Sequence, residues 1–402
     1  MSFGAGRIGG DMSDTFTVTT RRGWFSRIAS SFVGVLIGFL LVLAMIVLLF
    51  WNEGRAVQTA RSLAEGAGAV IAVSADTIDP ANEGRLVHTS GTVATGETLT
   101  DPDFGITATG VSLIRRAEMF QWKEESRSET KKTLGGGEET VTTYSYTKDW
   151  VDSPQDSSNF KQPDGHRNPE MRWLDKTFSL SEAQMGAWRL DVQTLSRMGG
   201  EKDLPVTAAD AQKVKDTFGW GDPKIFQSRI YLGEDPNAPQ IGDQRISYEL
   251  APLGPISVVA KQKGNGFAHY QTEAGDALFM VDRGTVAARQ MFDEAVAENT
   301  FITWLLRVIG LLLLAVGFAL VMGPIGVIFD VIPFLGSLAR LGTGLVAFVL
   351  AIAVGTVVIA IAWFWYRPLL SLGIVVIGAL ISWLLVRYGR SRAPQPATPS
   401  PA

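Results

Sequence analysis

Three stretches near the C-terminus carry no charged side chain: Val308 to Phe329, Leu341 to Tyr366 and Leu369 to Val386. Roughly 20 apolar residues in a helix cross a hydrocarbon core about 30 Å thick, so each stretch is long enough to span. A fourth apolar run, Ile28 to Trp51, lies near the other end. These runs commit the chain to a bilayer. They set its expected plan: transmembrane helices at 28–51, 301–322, 344–366 and 369–387, with residues 52–300 outside the membrane between the first and the second.

The net charge of −4 over 402 residues hides a split. Residues 52–300 hold 26 Lys and Arg against 37 Asp and Glu, a net of −11, while the rest holds 10 against 3, a net of +7. An acidic block makes a poor nucleic-acid partner, because phosphate neutralisation needs clustered Lys and Arg. Anionic lipid headgroups would repel it too. The chain has no cysteine, which excludes disulfides, thiolate metal sites and cysteine nucleophiles. Arg outnumbers Lys, and Ala and Gly are abundant, the composition of a high-GC bacterial source.

The flanking charges orient the spans. Arg21, Arg22 and Arg27 precede the first, and Arg387, Arg390 and Arg392 follow the last. The Lys/Arg bias puts both termini on the cytoplasmic side, and residues 52–300 in the periplasm or a lumen. A cleaved signal peptide would have an apolar core of about 7–15 residues. Here the run is longer and passes straight into Trp51-Asn52-Glu53, so it reads as an uncleaved anchor. Residues 1–27 and 388–402 read as disordered cytoplasmic tails. Residues 323–343, interrupted by Asp330, Pro333, Gly336 and Arg340, read as an amphipathic segment in the interface.

The block 52–300 reads as a strand-rich α+β domain, in one part or in two divided near residues 175–220. Ala56 to Val73 continues the first span as a helix. Glu118 to Glu125 and Val141 to Trp150 read as the arms of a long hairpin, joined by a charged connection with Gly135-Gly136-Gly137 at its tip. Phe178 to Arg197 has the composition of a helix, with Ser179 or Ser181 as N-cap, and Thr207 to Phe218 that of a second. Strands follow at Gln244 to Leu250, Ile256 to Gln262 and Phe267 to Gln271. Asn265-Gly266 is the preferred pair of a type I′ turn between the last two. A single helix from Val286 to Met322 would join the block to the second span, about 55 Å at 1.5 Å per residue.

Chemistry-bearing residues are sparse. His88, His166 and His269 sit on separate segments without metal-ligand spacing. His166, in Asp164-Gly165-His166-Arg167-Asn168-Pro169, is the best polar-site candidate; the plainer reading is a loop that satisfies its own hydrogen bonds. Asp101 and Asp103 flank Pro102, a pattern suited either to a hard cation or to an Asx-type turn, and the turn is the commoner outcome. No nucleophile elbow, phosphate loop or dinucleotide fingerprint is present, so no cofactor, resident metal or catalytic residue is expected. Asn52, Glu53, Gly54 and Arg55 stand where the first span leaves the bilayer. They suit a conformational joint, a subunit contact through a Glu53–Arg pair, or a helix-end polar cluster. Transporters and proton relays keep ionisable groups within their spans, and these apolar cores hold none. Gly34 and Gly38 form a small-xxx-small pair that allows close helix contact, within a subunit or between subunits.

Several unusual peptides run in one order along the chain: Phe50-Trp51-Asn52-Glu53-Gly54-Arg55-Ala56-Val57, Asp101-Pro102-Asp103-Phe104-Gly105, Glu118-Met119-Phe120-Gln121-Trp122, Tyr144-Ser145-Tyr146 with Trp150, Asn159-Phe160, Gly165-His166-Arg167-Asn168-Pro169, Trp304-Leu305-Leu306-Arg307 and Trp363 to Pro368. Together they resemble the LUMA (transmembrane protein 43) family. The resemblance implies one N-terminal span, a large lumenal or periplasmic domain and three C-terminal spans. It also implies a non-enzymatic role in membrane organisation, through homo-oligomerisation and scaffolding of partner membrane proteins. Eukaryotic members would act at the endoplasmic reticulum and inner nuclear membrane, bacterial ones in the inner membrane. The rival expectations are a channel or transport subunit with a pore made only by oligomerisation, tested by ion flux in vesicles, and a membrane-anchored periplasmic hydrolase, tested by substitution of His166 or Asp103.

Overall fold

The computed structural model describes residues 14–391 apart from residue 220. The remaining parts of the two expected tails, 1–13 and 392–402, lie outside the described residues. The chain forms two compact units. One comprises residues 14–22, 62–133 and 137–295, and the other residues 23–61, 134–136 and 296–391.

The first unit is built on two mainly antiparallel sheets. The larger holds β1 (Asp14–Arg22), β3 (Ser112–Lys132), β4 (Glu138–Val151), β8 (Arg229–Leu232) and β9 (Gln244–Ala251), in the order β1-β4-β3-β9-β8 with Lys224–Phe226 at the end. The strand β5 (Lys176–Ser179) also pairs with β3. The smaller sheet runs β7-β6-β2-β10-β11, from β2 (Leu86–Ala94), β6 (Glu182–Met185), β7 (Trp188–Asp191), β10 (Pro255–Lys263) and β11 (Gly266–Ala268), with β12 (Met280–Arg283) also on β10. Side chains alternate across a strand, and the inward sets from both sheets join one apolar core. Leu113, Ala117 and Met119 of β3 meet it with Ile246 and Tyr248 of β9, Met185, Trp188 and Val258.

Strand β10 is buried on both faces. Val258 and Ala260 belong to the main core, while Val259 between them joins Leu63, Leu86, Leu278, Met291 and Phe292 in a second one. That second core is closed by the last turns of α1 (Trp24–Ala69) and the first turns of α3 (Ala288–Val321). A methyl group on Gly66 would run into the Leu278 side chain and lie 2.9 Å from the Phe292 ring, so glycine leaves these two side chains the room to pack under the helices.

In the second unit three helices are long and apolar enough to cross a membrane: α1, α3 and α5 (Pro333–Tyr366). A short α4 (Gly323–Phe329) precedes α5, and α6 (Pro368–Ser391) follows it with a shorter apolar part, residues 368–384. Gly38 and Gly317 mark the closest approach: a Cβ on Gly38 would stand 2.6 Å from the Gly317 carbonyl oxygen. Gly34, Gly373 and Gly378 have nothing within 4 Å of that position, so only half of the small-xxx-small pair is used. Leu49, Leu314, Ala351 and Val358 fill the interior, while Phe32, Leu36, Leu40, Leu312 and Val357 face outward as lipid-facing residues do.

The structure corrects several sequence expectations. Residues 14–22, read as part of a disordered tail, form β1 and pair with β4 along their whole length, from Asp14 with Tyr146 to Arg22 with Glu138. Residues 178–197 are not a helix. Glu182, Gln184, Arg189 and Asp191 are exposed while Ala183, Met185, Trp188 and Leu190 are buried, a period of two, and Gly186 turns the chain at φ +60. Only Val192–Leu195 is helical there. The hairpin arms reach Lys132 and Glu138, much further than expected, with Ser128–Thr142 and Thr130–Thr140 hydroxyl pairs across them. In the second hairpin Lys263 pairs with Gly266, so the turn is Gly264-Asn265 with φ +58 at the glycine. A glycine in the first central position marks type II′ rather than I′. Residues 323–343 are not one interfacial segment: they form α4, and from Pro333 they belong to α5. By contrast, the helix expected from Thr207 to Phe218 is present as a turn, in which Thr207 N–H and Oγ1 donate to Asp210 Oδ2, followed by α2 (Ala211–Phe218), and the helix expected at 286–322 is α3.

Candidate functional site

Glu53 stands two residues after the apolar run of α1, and Arg307 directly before that of α3. Both carry charge at a depth where solvation is poor, so each needs a partner. Arg307 donates from Nε to Glu53 Oε1 at 2.6 Å and from Nη2 to Oε2 at 2.8 Å. This is the two-pronged geometry in which guanidinium and carboxylate bind most strongly. Trp363 of α5 donates its indole N–H to Glu53 Oε2 at 2.9 Å, and the Arg307 guanidinium lies over the Trp304 ring. Glu53 is 1% exposed. Around it, Asn52 donates to the Thr303 carbonyl, and Arg55 donates to Asn299 Oδ1 at 3.0 Å and Thr303 Oγ1 at 2.9 Å. Asn299 in turn donates to the Ala56 carbonyl. Gly54 completes the set, since a Cβ there would lie 2.6 Å from the Tyr366 ring.

The four residues singled out at 52–55 therefore do come together. They form a buried polar clasp on three helices of one chain. Sequence reasoning missed the other half, Asn299, Thr303, Arg307 and Trp363, about 250–310 positions away. The clue was an Arg just before an apolar run and a Trp at the end of another.

A second cluster fastens α1, α4 and α5. Asp330, fully buried, accepts from Arg27 Nη2 at 2.6 Å and from Arg340 Nη1 at 2.9 Å. Arg27 also donates to the Gly136 carbonyl, and Trp24 donates to the Val327 carbonyl. Asp330 and Arg340, which looked like interruptions in the sequence, thus hold the α4–α5 bend.

In the first unit the Asp101 cluster adopts the turn. Asp103 N–H donates to Asp101 Oδ1, the Asx pattern. Where a hard cation would sit, Arg115 Nη1 donates to both carboxylates, at 3.0 Å to Asp101 Oδ2 and 2.7 Å to Asp103 Oδ2. Tyr248 donates its hydroxyl to Asp101 Oδ2 at 2.8 Å, and burial beside that carboxylate pushes the phenol far above its ordinary pKa. His166 is stacked on Tyr146 with centroids 4.0 Å apart and meets the Trp122 ring edge-on at 4.7 Å. Its Nδ1 bonds the Gln162 carbonyl, and its Nε2 lies 3.4 Å from Asp14 of β1. At 2% exposure it packs the base of the hairpin. Asp101 and His166 lie in separate clusters with different partners.

Apolar helices and a two-sheet β-rich block, each pinned by internally paired polar clusters, define an integral membrane protein with a large extramembrane domain. The family model "Transmembrane protein 43" matches residues 119–368. Similar curated proteins include human Transmembrane protein 43, 31% identical over 390 residues and covering 94% of each chain. The mouse protein is 32% identical, covering 86% of this chain and 88% of its own. The Drosophila melanogaster homolog is 29% identical, covering 86% and 92%. The chain belongs to the Transmembrane protein 43 family. No solved structure matches it.

Proposed function

We propose that this family member is a non-catalytic membrane scaffold, one that self-assembles and holds partner membrane proteins. The observation that carries the reading is where the polar side chains are spent. Glu53, Asp101 and Asp330 each hold a guanidinium, and His166 is packed between two rings. Among the polar residues singled out, the groups that could act as acid or base are committed to fastening helix to helix or loop to sheet. A protein whose buried chemistry goes into fixing its own shape suits a platform better than a turnover cycle.

The same reading takes α6 as a fourth membrane helix, from its charge-free stretch 369–386, with residence in an inner membrane, or in the endoplasmic reticulum and inner nuclear membrane for a eukaryotic host. The C-terminus stays cytoplasmic by its arginines. β1 precedes α1 and β4 follows it in the chain, yet the two are paired, so residues 14–22 and 138–146 share one side, and in this reading α1 enters the bilayer without carrying the chain across it, leaving the crossings to α3, α5 and α6.

Native mass spectrometry of the intact protein in nanodiscs tests the proposal. A defined homo-oligomer is expected, and a clean monomer would sink self-assembly.

A further inference from the structure

Among the described residues, strand β3 carries an open edge. From Ser112 to Met119 one side of it is occupied by β9, but the pairing with β9 stops at Met119 while β3 runs on to Lys132. The groups on that side can be followed by parity. Phe120 donates to the Asp243 carbonyl and accepts from Gly242 N–H. Trp122 donates to Asn168 Oδ1 and accepts from Asn168 Nδ2. Backbone direction repeats every two residues, so Glu124, Ser126, Ser128 and Thr130 aim their N–H and C=O groups the same way, away from β4. Residues 125–131 are exposed. Proteins avoid leaving such an edge long and unpaired, because it is a template for another strand.

The sequence of the edge indicates which strand fits. Glu124-Glu125-Ser126-Arg127-Ser128-Glu129-Thr130-Lys131-Lys132 is self-complementary when laid antiparallel on itself about Ser128. Glu125 then faces Lys131, Arg127 faces Glu129, and Ser126 faces Thr130. Toward β4 those central charges have no charged neighbour: Arg127 stands opposite Thr143, Glu129 opposite Val141 and Glu125 opposite Ser145. Along the strand itself Arg127 lies 3.8 Å from Glu129 and Lys123 2.8 Å from Glu125, but at 85% and 63% exposure for the first pair these are surface contacts worth little, and a partner strand can take them over. The two registers shifted by two residues put like charges opposite, either Arg127 on Arg127 or Glu129 on Glu129, which is unfavourable. The parity agrees as well. Ser128 is one of the outward-aimed residues, so a two-fold axis there makes a hydrogen-bonded pair, and the same holds for 126 with 130.

We propose that β3 is the homotypic assembly surface of this protein: residues 125–131 of two copies pair antiparallel across a two-fold axis at Ser128, joining their larger sheets into one. The partner is a second copy of the chain, as an isologous interface requires, and the mode is strand addition. The inference rests on the self-assembly reading above and names its surface. Anchoring both copies in one membrane raises their effective concentration, so a short ladder suffices.

The chain has no cysteine, so each S128C molecule carries one thiol. Opposite residues of a hydrogen-bonded pair have Cα atoms about 5.5 Å apart, within disulfide reach. Oxidation of full-length S128C in membranes is expected to give a covalent dimer. S126C alone should give little, because each copy of it faces residue 130, whereas S126C mixed with T130C should cross-link. In the S128C background, R127E should cut the dimer yield several-fold, and R127E/E129R should restore it; both side chains are too exposed for either change to disturb folding. S128C cross-linking no better than S126C, while native mass spectrometry still shows an oligomer, would overturn this surface and leave the scaffold reading standing. A monomer would overturn both, and failure of R127E/E129R to restore the dimer would overturn the register.

Discussion

A carboxylate that is 1% exposed among apolar helices is tolerable only while its guanidinium stays in place. A buried ion pair adds little net stability over apolar residues of the same shape, but removing one partner strands the other and costs about 3–5 kcal/mol. E53Q should therefore lower the thermal midpoint of the intact protein in detergent markedly, because it leaves Arg307 uncompensated. The double variant E53Q/R307Q should recover much of the loss, and an unchanged midpoint in E53Q would show that the clasp bears no weight. The same logic holds for Asp101, where Arg115 is the cation and Tyr248 the second donor. R115L should destabilise the soluble unit by a similar amount, about 3–5 kcal/mol, whereas Y248F removes one neutral donor and should cost about 1–3 kcal/mol. Urea unfolding followed by tryptophan fluorescence separates the two, and equal effects would contradict the assigned roles.

At the scale of elements, β1 is the least anticipated feature and the most testable. Thr15 stands opposite Ser145 in its ladder with β4. T15C and S145C should therefore be labelled from the same side of sealed membranes by an impermeant thiol reagent, and T15C/S145C should form an intramolecular disulfide. Labelling from opposite sides would dissolve the ladder. The sequence hid β1 because Asp14-Thr15-Phe16-Thr17-Val18-Thr19-Thr20-Arg21-Arg22 has too few apolar residues to show a buried face. It hid β6 and β7 for the opposite reason: Leu180, Ala183, Met185 and Leu190 favour helices intrinsically, and a core formed with Trp188 overrode that preference. The long apolar helices, α2 and the existence of both hairpins were legible, because each is set by local pattern. The partners of Glu53 and Asp330 were not, since hydrogen bonds between distant positions leave no local periodicity.

For the whole molecule, assembly sets the expected behaviour. If two copies join through β3 edges, the oligomer should tolerate changes on the exposed faces of α6 while losing dimers when a proline is placed at an outward-aimed position. S128P removes the donor that the axis needs and should shift native mass spectra of the intact protein toward monomer; persistence of the wild-type distribution would argue for a different surface. The Asp101 and His166 clusters should not matter to that shift.

Strand β10 sets a schedule for biosynthesis. Its Val259 side is covered by Leu63, made early, and by Met291 and Phe292, made about 30 residues after the strand itself. Those last two residues begin the helix that continues to Val321. The ribosome therefore has to deliver the start of a membrane helix before the water-soluble block can seal its second core. For this chain, completing the domain and inserting the helix become coupled events, and a nascent chain arrested before residue 290 should remain open to protease along β10.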